Sequence, residues 1–137
     1  MRSCLPLCLL SLAMLASPLP VAAFEPDAAT RDAAAFIAAC EPWDDWDKPG
    51  PPFRIFGNSY YVGTCGITAI LVTGEDGHVL IDGGPRNGGP LIAANVEALG
   101  FDIADVRVLT HTHEHFDHVG GLADLQRRSG ARVVASA

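Results

Sequence analysis

Four of the five histidines fall between positions 111 and 118, at His111, His113, His115 and His118, and Asp117 lies among them. The order His113-x-His115-x-Asp117-His118 is what a compact two-metal site needs. Alternate residues just past a strand point the same way, so His113 and His115 can serve one ion. Asp117 and His118 follow where a tight turn aims them at a second ion close by. Imidazole nitrogen combined with carboxylate oxygen suits zinc. An H-x-H alone would be weak evidence, whereas H-x-H-x-D-H at a strand-to-helix junction is strong. The competing explanation is a surface histidine tract or tag. Its embedding between Val-Arg-Val-Leu-Thr and an amphipathic helix argues against that. The fifth histidine, His78, follows Gly77 and reads as a solvated turn residue.

Several elements must position these side chains. Pro26 to Cys40 is alanine-rich, opens on a proline and stops at Pro42, which predicts a helix. Residues 41–52 form a Pro- and Asp-rich loop in which Trp43 and Trp46 read as packing anchors. Strand-like runs follow at Phe53–Phe56, Ser59–Val62, Ile67–Thr73 and His78–Asp82. Gly57-Asn58 and Gly74-Glu75-Asp76-Gly77 supply the turns. Pro90–Leu99 reads as a helix closed by Gly100. Val106–Thr110 is a buried strand feeding the histidines, and ligand sites in open α/β sheets gather beyond such strand ends. Leu122–Ser129 is a second helix, with Asp124 and Arg128 spaced as an i,i+4 pair. Val133-Val134 begins another strand. The order is a β-meander followed by β-α-β-α-β, an α/β domain. The last strand opens with nothing after it, so the chain is expected to be the N-terminal part of a longer domain.

Residues 1–23 read as a secretory signal: Arg2, an apolar run from Leu5 to Ala16, and small residues at Val21-Ala22-Ala23. A membrane anchor is the alternative, but the run is short for a span and Pro18 and Pro20 interrupt its end. The expected product is periplasmic or secreted, with no membrane attachment after cleavage and a domain covering residues 24–137. Losing Arg2 leaves eight basic residues against 16 acidic ones. That balance argues against a nucleic-acid partner, which requires clustered Lys and Arg. Cys4 and Cys8 leave with the signal. Cys40 and Cys65 can then pair, contributing about 3 kcal/mol, or remain as two buried thiols. They lack the spacing of a structural zinc site.

The pattern His113-x-His115-x-Asp117-His118 followed by Gly120-Gly121 resembles the metallo-β-lactamase superfamily. PFRIFGNSYYVGTCGITAILVTGEDGHVLIDGG, residues 52–84, and HEHFDHVGGLADLQRRSGARVVASA, residues 113–137, are similar to the N-terminal half of its subclass B3. The resemblance implies an αββα sandwich of which this chain holds the N-terminal half. It implies two zinc ions, His113 and His115 serving the first, Asp117 and His118 the second. His118 favours B3 over B1, where the residue after this aspartate is not a ligand. The family completes each ion with one histidine from beyond these residues. Asp82 matches an aspartate that holds the histidine loop rather than a ligand, and a Cys40–Cys65 disulfide matches one found in some members. His111 stands where the subclass has a small polar residue and is expected at the surface or behind the ligands.

The implied activity is zinc-dependent hydrolysis of the β-lactam amide, a small-molecule substrate, with Asp117 orienting the attacking water. No serine nucleophile is implied, and no S-x-x-K occurs. The alternatives are a lactonase or glyoxalase-II-like thioesterase on the same fold, or an inactive metal-binding fragment. With two matched ligands per ion, residues 24–137 alone are expected not to turn over a β-lactam.

Overall fold

The computed structural model describes residues 28–135; the signal reading falls on residues outside these. Helix α1 (Ala28–Ala39) is followed by strands β1 (Phe53–Phe56), β2 (Ser59–Tyr61), β3 (Ile70–Val72) and β4 (His78–Ile81). Then come α2 (Gly88–Ala98), a 3-10 turn (Ile103–Asp105), β5 (Val106–Thr110), α3 (Phe116–Val119), α4 (Leu122–Ser129) and β6 (Arg132–Val133). The six strands form one sheet in chain order. β1 to β4 are antiparallel, as two short turns allow, and β4, β5 and β6 run parallel through helical crossovers. This is the mixed α/β architecture read from the sequence.

Alternation along the strands divides the sheet into two faces. Tyr60, Leu71, Leu80 and Leu109 are in register across β2 to β5. Leu71, Leu80 and Leu109 are fully buried, beneath Ile92 and Val96 of α2 and Leu125 of α4. Each such side chain contributes about 2 kcal/mol by leaving water. On the opposite face Ile70, Val72, Val79, Ile81 and Val108 stay half-buried. There α1 covers only the β1–β2 edge, through Phe36 against Phe53 and Tyr61 at ring separations of 5.4 and 4.8 Å. Burial pushes the Tyr61 phenol pKa above its ordinary value.

Several predicted elements differ in detail. The strand expected over Ile67–Thr73 pairs regularly only from Ile70, because residues 63–67 close a tight turn with Thr64 N–H donating to Ile67 O at 3.0 Å. Helix α2 starts at Gly88, two residues before Pro90, which sits in its first turn, where a missing N–H costs nothing. His78 is not a solvated turn residue. It is the first residue of β4, half-buried, with its ring edge-on to Phe101 at 5.4 Å. Trp43 is not a packing anchor, being 96% exposed, and Trp46 is half exposed. The pairing of Asp124 with Arg128 holds, at 2.6 Å, and Arg127 joins it at 3.0 Å.

Cys40 and Cys65 form a disulfide with Cα atoms 5.2 Å apart, tying the end of α1 to the turn before β3. Alkylation of the denatured, unreduced protein is therefore expected to label neither cysteine. Labelling of both in oxidised protein would contradict the bridge.

Candidate metal centre

The centre is built where two glycine-flanked turns nest. After β4 the chain leaves the sheet through Asp82, Gly83 and Gly84. Past the loop 111–115, α3 ends in Gly120-Gly121. Gly83 N–H donates to His118 O at 2.7 Å and Gly121 N–H to Gly84 O at 3.2 Å. This approach is so close that a Cβ on Gly121 would collide with Gly83 O, and one on Gly83 would lie 2.7 Å from Leu122 N. Any side chain at either position would pry the turns apart.

Asp82 is the hinge of this arrangement. It is 3% exposed and has φ of 66°, a left-handed conformation that aspartate tolerates better than most residues. Its own N–H donates to Thr110 O at 2.9 Å, continuing the β4–β5 pairing. Its carboxylate accepts from Thr112 N at 2.7 Å, from Thr112 Oγ1 at 2.9 Å and pairs with His118 Nδ1 at 3.0 Å. One buried carboxylate thus holds both ends of the histidine loop.

These contacts also determine which ring nitrogens are free. A carboxylate only accepts, so His118 Nδ1 carries the proton and Nε2 keeps its lone pair. Thr112 has a single hydroxyl proton, and Asp82 takes it. The same hydroxyl lies 3.0 Å from His113 Nδ1. It must accept there, so His113 is also protonated on Nδ1 and free on Nε2.

The rings cluster: His113 lies 4.6 Å from His115 and 4.1 Å from His118 between centroids. Asp117 Oδ2 is 3.5 Å from His118 Nε2. Fully exposed Glu114 has its carboxyl held below its ordinary pKa by its own backbone N–H, then by His115, His113 and His111. His111 buries an Nδ1 that meets no partner among the described residues.

Imidazole nitrogens and a carboxylate oxygen gathered on one loop are donor types that suit zinc. Among the described residues, the only trio of donor atoms within 4.8 Å of one another is Cys40, Asp44 and Cys65, whose sulfurs are consumed in the disulfide. No three of the loop's donor atoms lie that close to one another.

Three participants were not singled out from sequence. Thr112 links Asp82 to His113, and only its place directly before H-x-H hints at a role. Phe116, 65% exposed between His115 and Asp117, meets Trp46 at 5.5 Å between rings. Thr64 is buried under the loop that carries Trp46. A cleft bounded by Arg86, Phe116 and Gly120 opens beside the loop.

A family profile described as the Metallo-beta-lactamase superfamily matches residues 62–137. Among solved structures, MIM-2 metallo-beta-lactamase aligns at 57% identity and TM-score 0.73, over 74% of this chain and 39% of that one. MEM-A1, a subclass B3 metallo-beta-lactamase from a soil metagenome library, aligns at 50% identity and TM-score 0.66, over 67% and 35%. Shorter matches reach a hydroxyacylglutathione hydrolase of Bradyrhizobium sp. (strain ORS 278), 44% identical over 46 residues, 34% of this chain and 16% of that protein. The N-acyl homoserine lactonase AttM of Rhizobium johnstonii (strain DSM 114642 / LMG 32736 / 3841) is 38% identical over 74 residues, 38% of this chain and 28% of that protein.

Proposed function

Because the chain belongs to the metallo-beta-lactamase superfamily, a family of hydrolases, we infer that the full-length protein is a subclass B3 enzyme that hydrolyses the amide bond of β-lactams with two zinc ions. The observation carrying this reading is the likeness to B3 structures at 50–57% identity across two thirds or more of the chain. The shorter likeness to a thioester hydrolase and a lactonase favours a second reading, the same water chemistry on a thioester or lactone.

Zinc, when bound, supplies hydroxide near neutral pH by lowering the pKa of a water to about 7, and polarises the carbonyl under attack. The chain's own residues do the rest. His113 and His115 are the donors for one ion, and Asp117 and His118 those for the other. The free oxygen of Asp117 accepts a hydrogen bond from the attacking water and orients it. Asp82 and Thr112 hold the imidazoles of His118 and His113 by Nδ1, which leaves Nε2 of each free for a metal ion and removes the cost of ordering these rings at each turnover. Phe116 and Trp46 place an apolar pair of rings beside the loop. Residues 1–23 are read in the same proposal as an export signal, placing the enzyme outside the cytoplasm. No helix among the described residues is long and apolar enough to cross a membrane.

The test is an assay of the zinc-loaded full-length protein on a chromogenic cephalosporin, an acyl-homoserine lactone and a glutathione thioester. Turnover of the cephalosporin that a chelator abolishes is expected. Efficient cleavage of only the thioester or the lactone would replace the first reading by the second.

A further inference from the structure

Thr64 is a fully buried polar residue remote in sequence from the histidines. Its hydroxyl donates to Trp46 O at 2.6 Å, across 18 positions, and accepts from Ile67 N at 3.1 Å. Its neighbours grip the same loop. Cys65 N–H donates to Lys48 O at 2.9 Å. Gly66 lies so close that an added Cβ would stand 2.8 Å from Trp46 Cα and 3.0 Å from Asp45 O. Cys65 is itself fastened to Cys40. The turn 64–66 therefore holds the loop that carries Trp46 at three points, two of them at the Trp46 backbone. From there the Trp46 ring reaches Phe116, whose own neighbours in the chain are His115 and Asp117.

We propose that Thr64 is a positioning residue for the metal loop, acting through Trp46 on Phe116. The inference rests on reading that loop as the metal site. Trp46 is half-exposed on an irregular loop with its ring against Phe116, so without the Thr64 hydroxyl its carbonyl loses a buried partner and its ring loses its place. Phe116 then rotates freely, and the side chains on either side of it must be ordered when metal binds. The disulfide belongs to the same device: reduction releases Cys65 and loosens the grip on Trp46.

The test uses the full chain carrying Trp43→Phe. The two tryptophans of the sequence are Trp43 and Trp46; Trp43 is exposed enough to be removed without loss, and the Trp46 signal is isolated by subtracting that of the same protein carrying Trp46→Phe. Thr64→Val keeps the shape and removes the hydroxyl; Thr64→Ser restores it. Two readouts apply: quenching of Trp46 fluorescence by acrylamide in metal-free protein, and cobalt(II) affinity from its visible absorption. Thr64→Val is expected to raise quenching and weaken cobalt affinity about tenfold, the lower end for residues behind metal ligands. Thr64→Ser should return both to the parent values. Phe116→Ala, at an exposed position that does not threaten folding, should reproduce both changes with Thr64 intact. Unchanged quenching in Thr64→Val, or in Phe116→Ala should the first variant not fold, overturns the proposal. So does raised quenching with unaltered cobalt affinity. A parent chain that binds no cobalt overturns the metal reading instead, and quenching still reads the clamp separately.

Discussion

Asp117→Ala is expected to abolish zinc-dependent hydrolysis by the full-length protein while leaving the fold nearly untouched. The two effects separate because of how the side chain is held. Asp117 is partly exposed, its carboxylate makes no hydrogen bond to the backbone among the described residues, and its Oδ2 stands 3.5 Å from His118 Nε2. Removing it leaves no buried donor without a partner, so the melting temperature of metal-free protein should move by no more than a surface substitution moves it, within about 0.5 kcal/mol. On the metal side the carboxylate is one of two donors proposed for its ion and the group that orients water. Losing a residue behind a ligand already costs up to about 100-fold in affinity or activity, and losing the ligand cannot cost less. Calorimetric titration with zinc and a chromogenic assay read the two quantities independently. Near-normal zinc affinity and turnover in this variant would remove Asp117 from the site.

What was readable in the sequence follows from the range of the forces involved. β5 and α4 were legible to the residue, because a short run rich in β-branched residues and an amphipathic repeat are local signals. The candidate ligands were legible because their chemistry is written in side-chain types within six positions. Helix α3 was not, since four residues are too few to show a period. Of the support beneath the loop only Asp82 was legible, through the family resemblance, whereas its partner Thr112 and the Thr64 contact were not. Thr112 and Asp82 lie 30 positions apart and Thr64 and Trp46 lie 18 apart, so each link exists only once the chain has folded. The tryptophans misled for a related reason. Their hydrophobicity suggested burial, but a proline- and aspartate-rich loop stays at the surface. Only Trp46 finds a ring to lean on, while Trp43 finds none. His78 was placed with the turn because Gly77 precedes it, whereas β4 starts there, its first residue paired with Val106.

Asp82 provides the sharpest division between folding and metal binding, because two substitutions there should fail differently. In Asp82→Ala the amide and hydroxyl of Thr112 and Nδ1 of His118 all lose a buried charged acceptor. Leaving a buried donor without its acceptor costs about 1 to 3 kcal/mol, so losing several at once takes a large share of the roughly 5 to 15 kcal/mol that holds a domain together. Alanine adds backbone strain at φ of 66°. A large drop in the denaturation midpoint is expected. Asparagine keeps the size, tolerates the same backbone and still offers one oxygen, which can serve Thr112 N–H. Its amide nitrogen, however, must then stand where the second oxygen stood, opposite His118 Nδ1 and the Thr112 hydroxyl. An N–H donor there forces Nδ1 to accept, which moves the His118 proton to Nε2, the nitrogen that faces Asp117. A protonated nitrogen cannot bind a metal ion. It also turns the Thr112 hydroxyl away from its former acceptor, so His113 loses the partner that set its tautomer. Asp82→Asn should therefore melt close to the parent yet bind zinc about 10- to 100-fold more weakly. The proton's position can be read from the ring-nitrogen chemical shifts of His118 in the metal-free protein. A variant that melts like the parent, binds zinc like the parent and keeps the His118 proton on Nδ1 would show that the carboxylate does not choose the tautomer.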